Sequence, residues 1–250
     1  MASLRDYPSL PIPRLMPGLV CWYSPFDPNN DGTQLANNTA MSAWSNKNAN
    51  TIDMAQATGA SQPTYKTSAF NGKPLVSFSG SNFMLAQAAS PTWANFATNF
   101  TIYVIFSLSS SSNVNQAIIS KGNSTAAPNW LLAVNRTGSA TNKIGFFNGS
   151  VWIDSTSTIS NTADLNIAAF SWNGISPLFF VNNSNVGTSG IMVNVTSNTQ
   201  SIVLGGQGAV GTTNLFHGNI GDILIYSSAH TSSQIQQVQT FFSNFYGMNF

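Results

Sequence analysis

The stretch from Phe216 to Gly247 constrains the fold most, because it joins a strand that must be buried to a helix that must lie on something. Ile220 to Tyr226 is short and rich in β-branched and aromatic residues, which suits a strand covered on both faces. After a turn at Ser227 to His230, Thr231 and Gln234 stand at capping-box spacing. Ile235, Val238, Phe241, Phe242 and Phe245 then recur at helical intervals until Gly247 stops the helix.

Upstream the chain reads as short strands: Leu19 to Tyr23, Leu75 to Phe78, Phe100 to Ser107, Gln116 to Ser120, Trp130 to Asn135, Lys143 to Phe147, Val151 to Asp154, Asn166 to Trp172, Leu178 to Val181 and Ile202 to Leu204, before Phe216 to Tyr226. Phe100, Ile102, Val104 and Phe106 alternate with Thr101, Tyr103, Ile105 and Ser107, so one face is continuously apolar and the other mixed. Three triplets, Phe70-Asn71-Gly72, Phe147-Asn148-Gly149 and Trp172-Asn173-Gly174, place Asn-Gly where tight hairpins need positive φ. The pattern predicts an all-β sandwich ending in one short helix.

The closing run Phe216-His217-Gly218-Asn219-Ile220-Gly221-Asp222, with the helix and its aromatic-Gly ending, resembles the concanavalin A-like, laminin-G-like jelly-roll family. So do Gly18 to Tyr23 with Asp27, Met41 to Asn46, Gln62 to Tyr65 and Asn71 to Gly80. The resemblance implies an antiparallel β-sandwich over residues 18–250, preceded by an arm over residues 1–17. It specifies fold better than function, since the same sandwich serves lectins, hydrolases, adhesins and virion proteins.

Charged residues are 6% of the 250 and the net charge is +1, so Asn, Ser, Thr, Gln and Gly must supply the polar surface. Scattered cations leave no footprint for nucleic acid, and no apolar run is long enough to insert in a membrane. The single cysteine, Cys21, lies in an apolar run and reads as a buried thiol. Asn-x-Ser/Thr sequons at Asn37, Asn99, Asn123, Asn135, Asn148, Asn182 and Asn194 read as surface-loop composition.

All seven acidic residues are aspartates, at positions 6, 27, 31, 53, 154, 164 and 222. The hydrolases that resemble this chain use a Glu-x-Asp-x-x-Glu strand, which a chain without glutamate cannot supply, so a non-enzyme is expected. His217 and His230 read as structural or surface residues. Gly206 to Gly211 spells a dinucleotide fingerprint but precedes a strand, so it reads as a loop. Asp27-Pro28-Asn29-Asn30-Asp31-Gly32 spells half a calcium loop, with Asp27, Asn29 and Asp31 as oxygen ligands and Asn38 where an EF-hand places glutamate. No cofactor is required, and calcium is the one ion the sequence raises; the alternative is an Asx-bonded turn. Trp93, Trp130 and Trp152 are candidate sugar platforms.

The arm carries Pro8, Pro11, Pro13 and Pro17, expected to hold it extended, and apolar side chains including Tyr7, Leu10, Ile12 and Leu15. It either folds back on its own domain or docks into a neighbouring subunit. With an initiating Met and no signal peptide in view, the first expectation is a virion structural protein, a capsid decoration, fibre or spike head. It would be anchored to other virion or capsid proteins by the arm, displayed on the virion surface, plausible as a homo-oligomer, and in contact with host glycans. The alternative is an extracellular or cell-surface carbohydrate-binding lectin or adhesin, with or without calcium.

Overall fold

The last described strand in sequence is an interior strand of a sheet. In the computed structural model, which describes residues 12–48, 52–86, 94–96, 98–109, 115–122, 130–135, 142–192, 195, 199–207 and 214–250, strands numbered along the chain form two antiparallel sheets. The first runs β14 (Ser184–Asn185), β13 (Pro177–Val181), β12 (Asn166–Trp172), β7 (Phe100–Leu108), β16 (His217–Tyr226), β5 (Lys73–Ser79), β4 (Thr64–Phe70). On the side away from β7, β16 pairs with β5 over His217 to Ile220 and with β1 (Leu19–Tyr23) over Ile223 to Tyr226. The register against β7 shifts between Ile220 and Ile223, a bulge at Gly221 and Asp222.

The second sheet runs β11 (Trp152–Asp154), β10 (Ile144–Phe147), β9 (Trp130–Val134), β8 (Gln116–Lys121), β15 (Ile202–Leu204), β6 (Met84–Ala86), β3 (Met54–Ala55), β2 (Ala43–Trp44). Every strand expected from the sequence is present, and β2 falls in, and β4 starts in, the Met41 to Asn46 and Gln62 to Tyr65 segments that carried the family resemblance; β3, β6 and β14 were not anticipated.

Two apolar layers follow from the alternation in β7. Phe100, Ile102, Val104 and Phe106 point between the sheets, where Phe146 and Phe170 stack with centroids 4.3 Å apart. Tyr103 and Ile105 point the other way, under helix α2 (Ser232–Tyr246). The mixed face is therefore buried as well. Ile235, Val238, Phe242 and Tyr246 of α2 cover it, while Phe241 and Phe245 are half-buried at its margin. Thr231 and Gln234 make the expected capping box, and Gly247 closes the helix at φ 67°. Among the described residues no helix is long and apolar enough to cross a membrane.

Only one Asn-Gly triplet makes a two-residue hairpin: Asn71 and Gly72, at φ 47° and 73°, join paired Phe70 and Lys73. The other two open four-residue loops between Phe147 and Trp152 and between Trp172 and Pro177, where the Asn side chains accept backbone N–H groups. A hairpin that the triplets did not flag turns on Asn182 and Asn183, at φ 51° and 63°. Asparagine, among the non-glycine residues, best tolerates that region, so Asn-Asn does the work of Asn-Gly.

The arm returns to its own domain from residue 12 onward. Ile12–Leu15 is a single helical turn, α1, in place of extended chain; Pro13 is buried in it, with a φ compatible with an initial helical turn. Tyr226 Oη donates to the Pro13 carbonyl (2.9 Å) and Ser228 Oγ to that of Pro17 (2.5 Å). The Arg14 guanidinium donates to the Lys47 carbonyl (3.0 Å) and lies 5.4 Å over the Trp22 ring. Ile12 packs on the helix-side core and Leu15 is exposed, while Tyr7 and Leu10 lie outside the described residues.

Candidate functional site

The Asp27-to-Asp31 loop already holds its cation, and that cation is Lys47. Buried Asp27 accepts the backbone N–H groups of Asp31 (2.9 Å) and Gly32 (3.0 Å) through Oδ1, and its Oδ2 pairs with the Lys47 ammonium. Burial lowers the Lys47 pKa, and Asp27 opposes that shift. Asp31 Oδ1 accepts from the Thr33 hydroxyl (2.7 Å) and N–H (2.9 Å), bonds that hold its carboxyl below the usual range, and the Asn29 side chain adds a further bond. Asp27, Asn29 and Asp31 thus knit an Asx-bonded turn, and this donor set does not fit calcium, which would have to displace Lys47 from the one buried carboxylate. Among the described residues no cluster of three or more His, Cys, Asp or Glu could hold a metal. Calcium and EDTA are both expected to leave the Tm unchanged; a rise of several degrees in millimolar calcium would reinstate the ion site.

The other sequence candidates are dispersed. Trp130 lies in the inter-sheet core and donates to the Ala94 carbonyl (2.8 Å), which removes it as a sugar platform. Trp152 is half-buried beside Phe147 on the outer side of the second sheet, and Trp93 lies outside the described residues. Cys21 is buried, and burial pushes its thiol pKa far up, so it carries no thiolate. His217 is half-buried in β16. His230 is enclosed by Tyr103 and Tyr226; its Nδ1 lies 2.8 Å from Tyr103 Oη and its Nε2 3.4 Å from the Pro17 carbonyl. The carbonyl can only accept, so Nε2 carries the proton and Nδ1 accepts from the tyrosine. Asp222, at the β16 bulge, is fully buried and accepts from Trp22 Nε1 and Tyr246 Oη, both at 2.6 Å. Burial raises its pKa to about 6 against the pull of those bonds.

A different set of residues converges where the β4–β5 turn, the loop before β12 and the C-terminal tail meet. They line a cleft of about 330 Å³, at the lower end of small-ligand sites. Its wall is a chain of asparagines. Asn161 Oδ1 accepts from the Ala163 N–H (3.1 Å), and its Nδ2 donates to Asp164 Oδ2 (2.7 Å). Asn166 Nδ2 donates to the carbonyls of Asn161 (2.8 Å) and Asp164 (2.7 Å), and its Oδ1 accepts from Asn182 Nδ2 (2.8 Å). Asn182 in turn accepts from the Ile167 N–H (3.0 Å), held in place by the positive-φ hairpin. Opposite, Asn71 Nδ2 donates to the carbonyls of Tyr246 (3.2 Å) and Gly247 (2.8 Å), tying the β4–β5 turn to the end of α2.

The groups left on offer are few. Asp164 Oδ1 and Asn71 Oδ1 have no hydrogen-bond partner among the described residues, Ser160 adds a hydroxyl, and the rings of Phe70 and Phe250 flank them, the latter 46% exposed. Fixed acceptors beside aromatic carbon can bind a hydroxyl-rich ligand. A larger groove, about 640 Å³, runs along α2 past Ile12, Phe241 and Phe245 and is mostly apolar.

The comparisons bear on the fold. Domain 4 of AbnA, an extracellular arabinanase from Geobacillus stearothermophilus solved in complex with arabinotriose, superposes with a TM-score of 0.60 at 15% identity, over 89% of this chain and 98% of that one. The fold is a concanavalin A-like jelly roll. The binding domain of Paraclostridial Mosquitocidal Protein 1 matches at TM-score 0.62 and 10% identity, over 91% of this chain and 53% of that one. Trypanosoma rangeli sialidase matches at 0.57 and 12%, over 91% of this chain and 33% of the enzyme. The chain thus spans the whole of the arabinanase domain, about half of the toxin domain and a third of the sialidase. No protein-family model matches the sequence, and no curated protein matches it.

Sequence reasoning missed the cleft. Asp164 appeared only in the tally of acids, and Asn161 and Asn166 belong to a polar stretch like several others in this chain. The one usable signal was Asn-x-x-Asp immediately before a strand, which reads as an Asx turn and not as a ligand site.

Proposed function

We propose that the protein is a carbohydrate-binding domain without catalytic activity of its own, working outside the cell or on a cell or particle surface. The observation that carries the proposal is the cleft, lined by Asp164 and Asn71, whose Oδ1 atoms are left without partners among the described residues while the rest of each side chain is held, Asp164 by the Asn161–Asn166–Asn182 network and Asn71 by the carbonyls of Tyr246 and Gly247. Pre-fixed acceptors bind without the entropy cost of ordering, which suits weakly held, strongly hydrated ligands such as sugars. Support comes from the full-length match to an arabinanase domain solved with a bound oligosaccharide. Among the described residues Asp164 is the only acidic side chain lining the cleft, which supports the non-catalytic part, since glycoside hydrolysis uses two carboxyl groups flanking the scissile bond.

The virion reading has less behind it. Of its four anchoring residues, Ile12 is spent on the domain's own helix, Leu15 is a single exposed side chain, and Tyr7 and Leu10 lie outside the described residues.

Affinity electrophoresis in gels containing soluble polysaccharides tests the proposal. Retardation by at least one polysaccharide is expected, with no reducing ends released on prolonged incubation. Free mobility in all of them would end the carbohydrate reading, and release of reducing ends would end the non-catalytic one.

A further inference from the structure

We infer that the Asp164 cleft selects neutral sugars and refuses anionic ones; this rests on the carbohydrate reading and adds the substrate class. The asparagine wall spends most of its donors internally. Both N–H groups of Asn71 go to the carbonyls of Tyr246 and Gly247, and both of Asn166 to those of Asn161 and Asp164. Asn161 and Asn182 each direct an amide donor into the same network, at Asp164 Oδ2 and Asn166 Oδ1. What remains to line the space is acceptor oxygen at Asp164 Oδ1 and Asn71 Oδ1, the Ser160 hydroxyl and the Asn249 amide, and among the described residues no Lys, Arg or His lines the cleft.

An anionic sugar would bring its carboxylate against a like charge and carbonyl-type lone pairs with no cation to pair it. A neutral sugar has only hydroxyl protons to give, and a carboxylate is the strongest acceptor available to it. Arginine or lysine is the usual device for holding an anionic substituent, and the cleft has neither.

Matched ligands isolate that one variable. Calorimetric titration compares galactotriose with trigalacturonate, and lactose with 3′-sialyllactose, on the full chain, alongside Asp164→Asn and Asp164→Lys; unchanged melting of each variant confirms its fold. Asp164 is exposed on a loop, so both variants are expected to fold. The expected result is binding of at least one neutral ligand, with its anionic partner at least tenfold weaker. Asp164→Asn should weaken the neutral ligand several-fold and narrow the gap, and Asp164→Lys should close or reverse it. Equal or tighter binding of the anionic partner to the unmodified protein would overturn the selectivity. Neutral binding that neither variant changes would overturn the cleft as the site and leave the carbohydrate reading standing. Failure of every ligand here, together with free mobility in all the gels, would remove both.

Discussion

Gly218→Ala is expected to destabilise the protein by about 3 kcal/mol or more, a large share of the 5–15 kcal/mol typical of folded domains. Gly218 pairs with Phe78 of β5 on one side and Leu108 of β7 on the other. A Cβ there would be driven into the Ser107 carbonyl oxygen and would stand 3.0 Å from the Leu108 Cα. Both obstacles are backbone of a fully buried strand, so neither can turn aside as a side chain would. Gly59→Ala is the control, since a Cβ there meets nothing within 4 Å, and a change within about 0.5 kcal/mol is expected. Urea unfolding of the two variants checks the pair; a Gly218→Ala protein within 1 kcal/mol of the parent would refute the close approach of β16 to β7.

Stability between pH 4 and pH 6 is expected to change little in the parent protein, because two buried groups pull in opposite directions. Burial raises the Asp222 pKa from 3.8 to about 6, so its contribution is complete below pH 3.8 and is lost as pH rises toward 6. Burial lowers the His230 pKa from 6.5 to about 4, so its contribution is complete above pH 6.5 and is lost as pH falls toward 4. Each shift corresponds to roughly 3 kcal/mol. Asp222→Asn, which keeps an acceptor for Trp22 and Tyr246, should uncover the histidine, with stability rising from pH 4 to 6.5. His230→Gln should uncover the aspartate, with stability falling over pH 4 to 6. Unfolding free energies at four pH values would show it, and single variants with the parent's slope would sink the argument.

How much of this was legible beforehand depended on whether a residue's role is local. The capping box at Thr231 and Gln234 and the apolar face of α2 are read by periodicity, because the interacting positions lie within a few residues of each other. The alternation of β7 located the inter-sheet layer for the same reason, while the burial of its mixed face under α2 depends on a helix more than a hundred residues away. The cation that Asp27 meets was not legible, because Lys47 stands twenty positions away, beyond any local pattern. The cleft was harder still. Asn71, Asp164 and Asn182 come from three separate hairpins and loops, and what distinguishes them from other polar residues in a 6%-charged chain is which of their atoms are already bonded. Short strands such as Ala43–Trp44 and Met54–Ala55 carry too few residues to show a period.

The position of β16 bears on how the chain is made. β4 and β5 pair with each other, and the β12–β13–β14 meander pairs with β7, but only β16 joins the two pieces and gives β1 its partner. A ribosome delivers β16 after everything it must connect. Until Tyr226 has emerged, the apolar edges of β1, β5 and β7 have no neighbour on that side, and the surface around Tyr103 and Ile105 has no helix over it. Closure of the sandwich thus waits on β16 and is built from contacts more than a hundred residues apart, the kind that forms slowly and leaves sticky intermediates in the meantime.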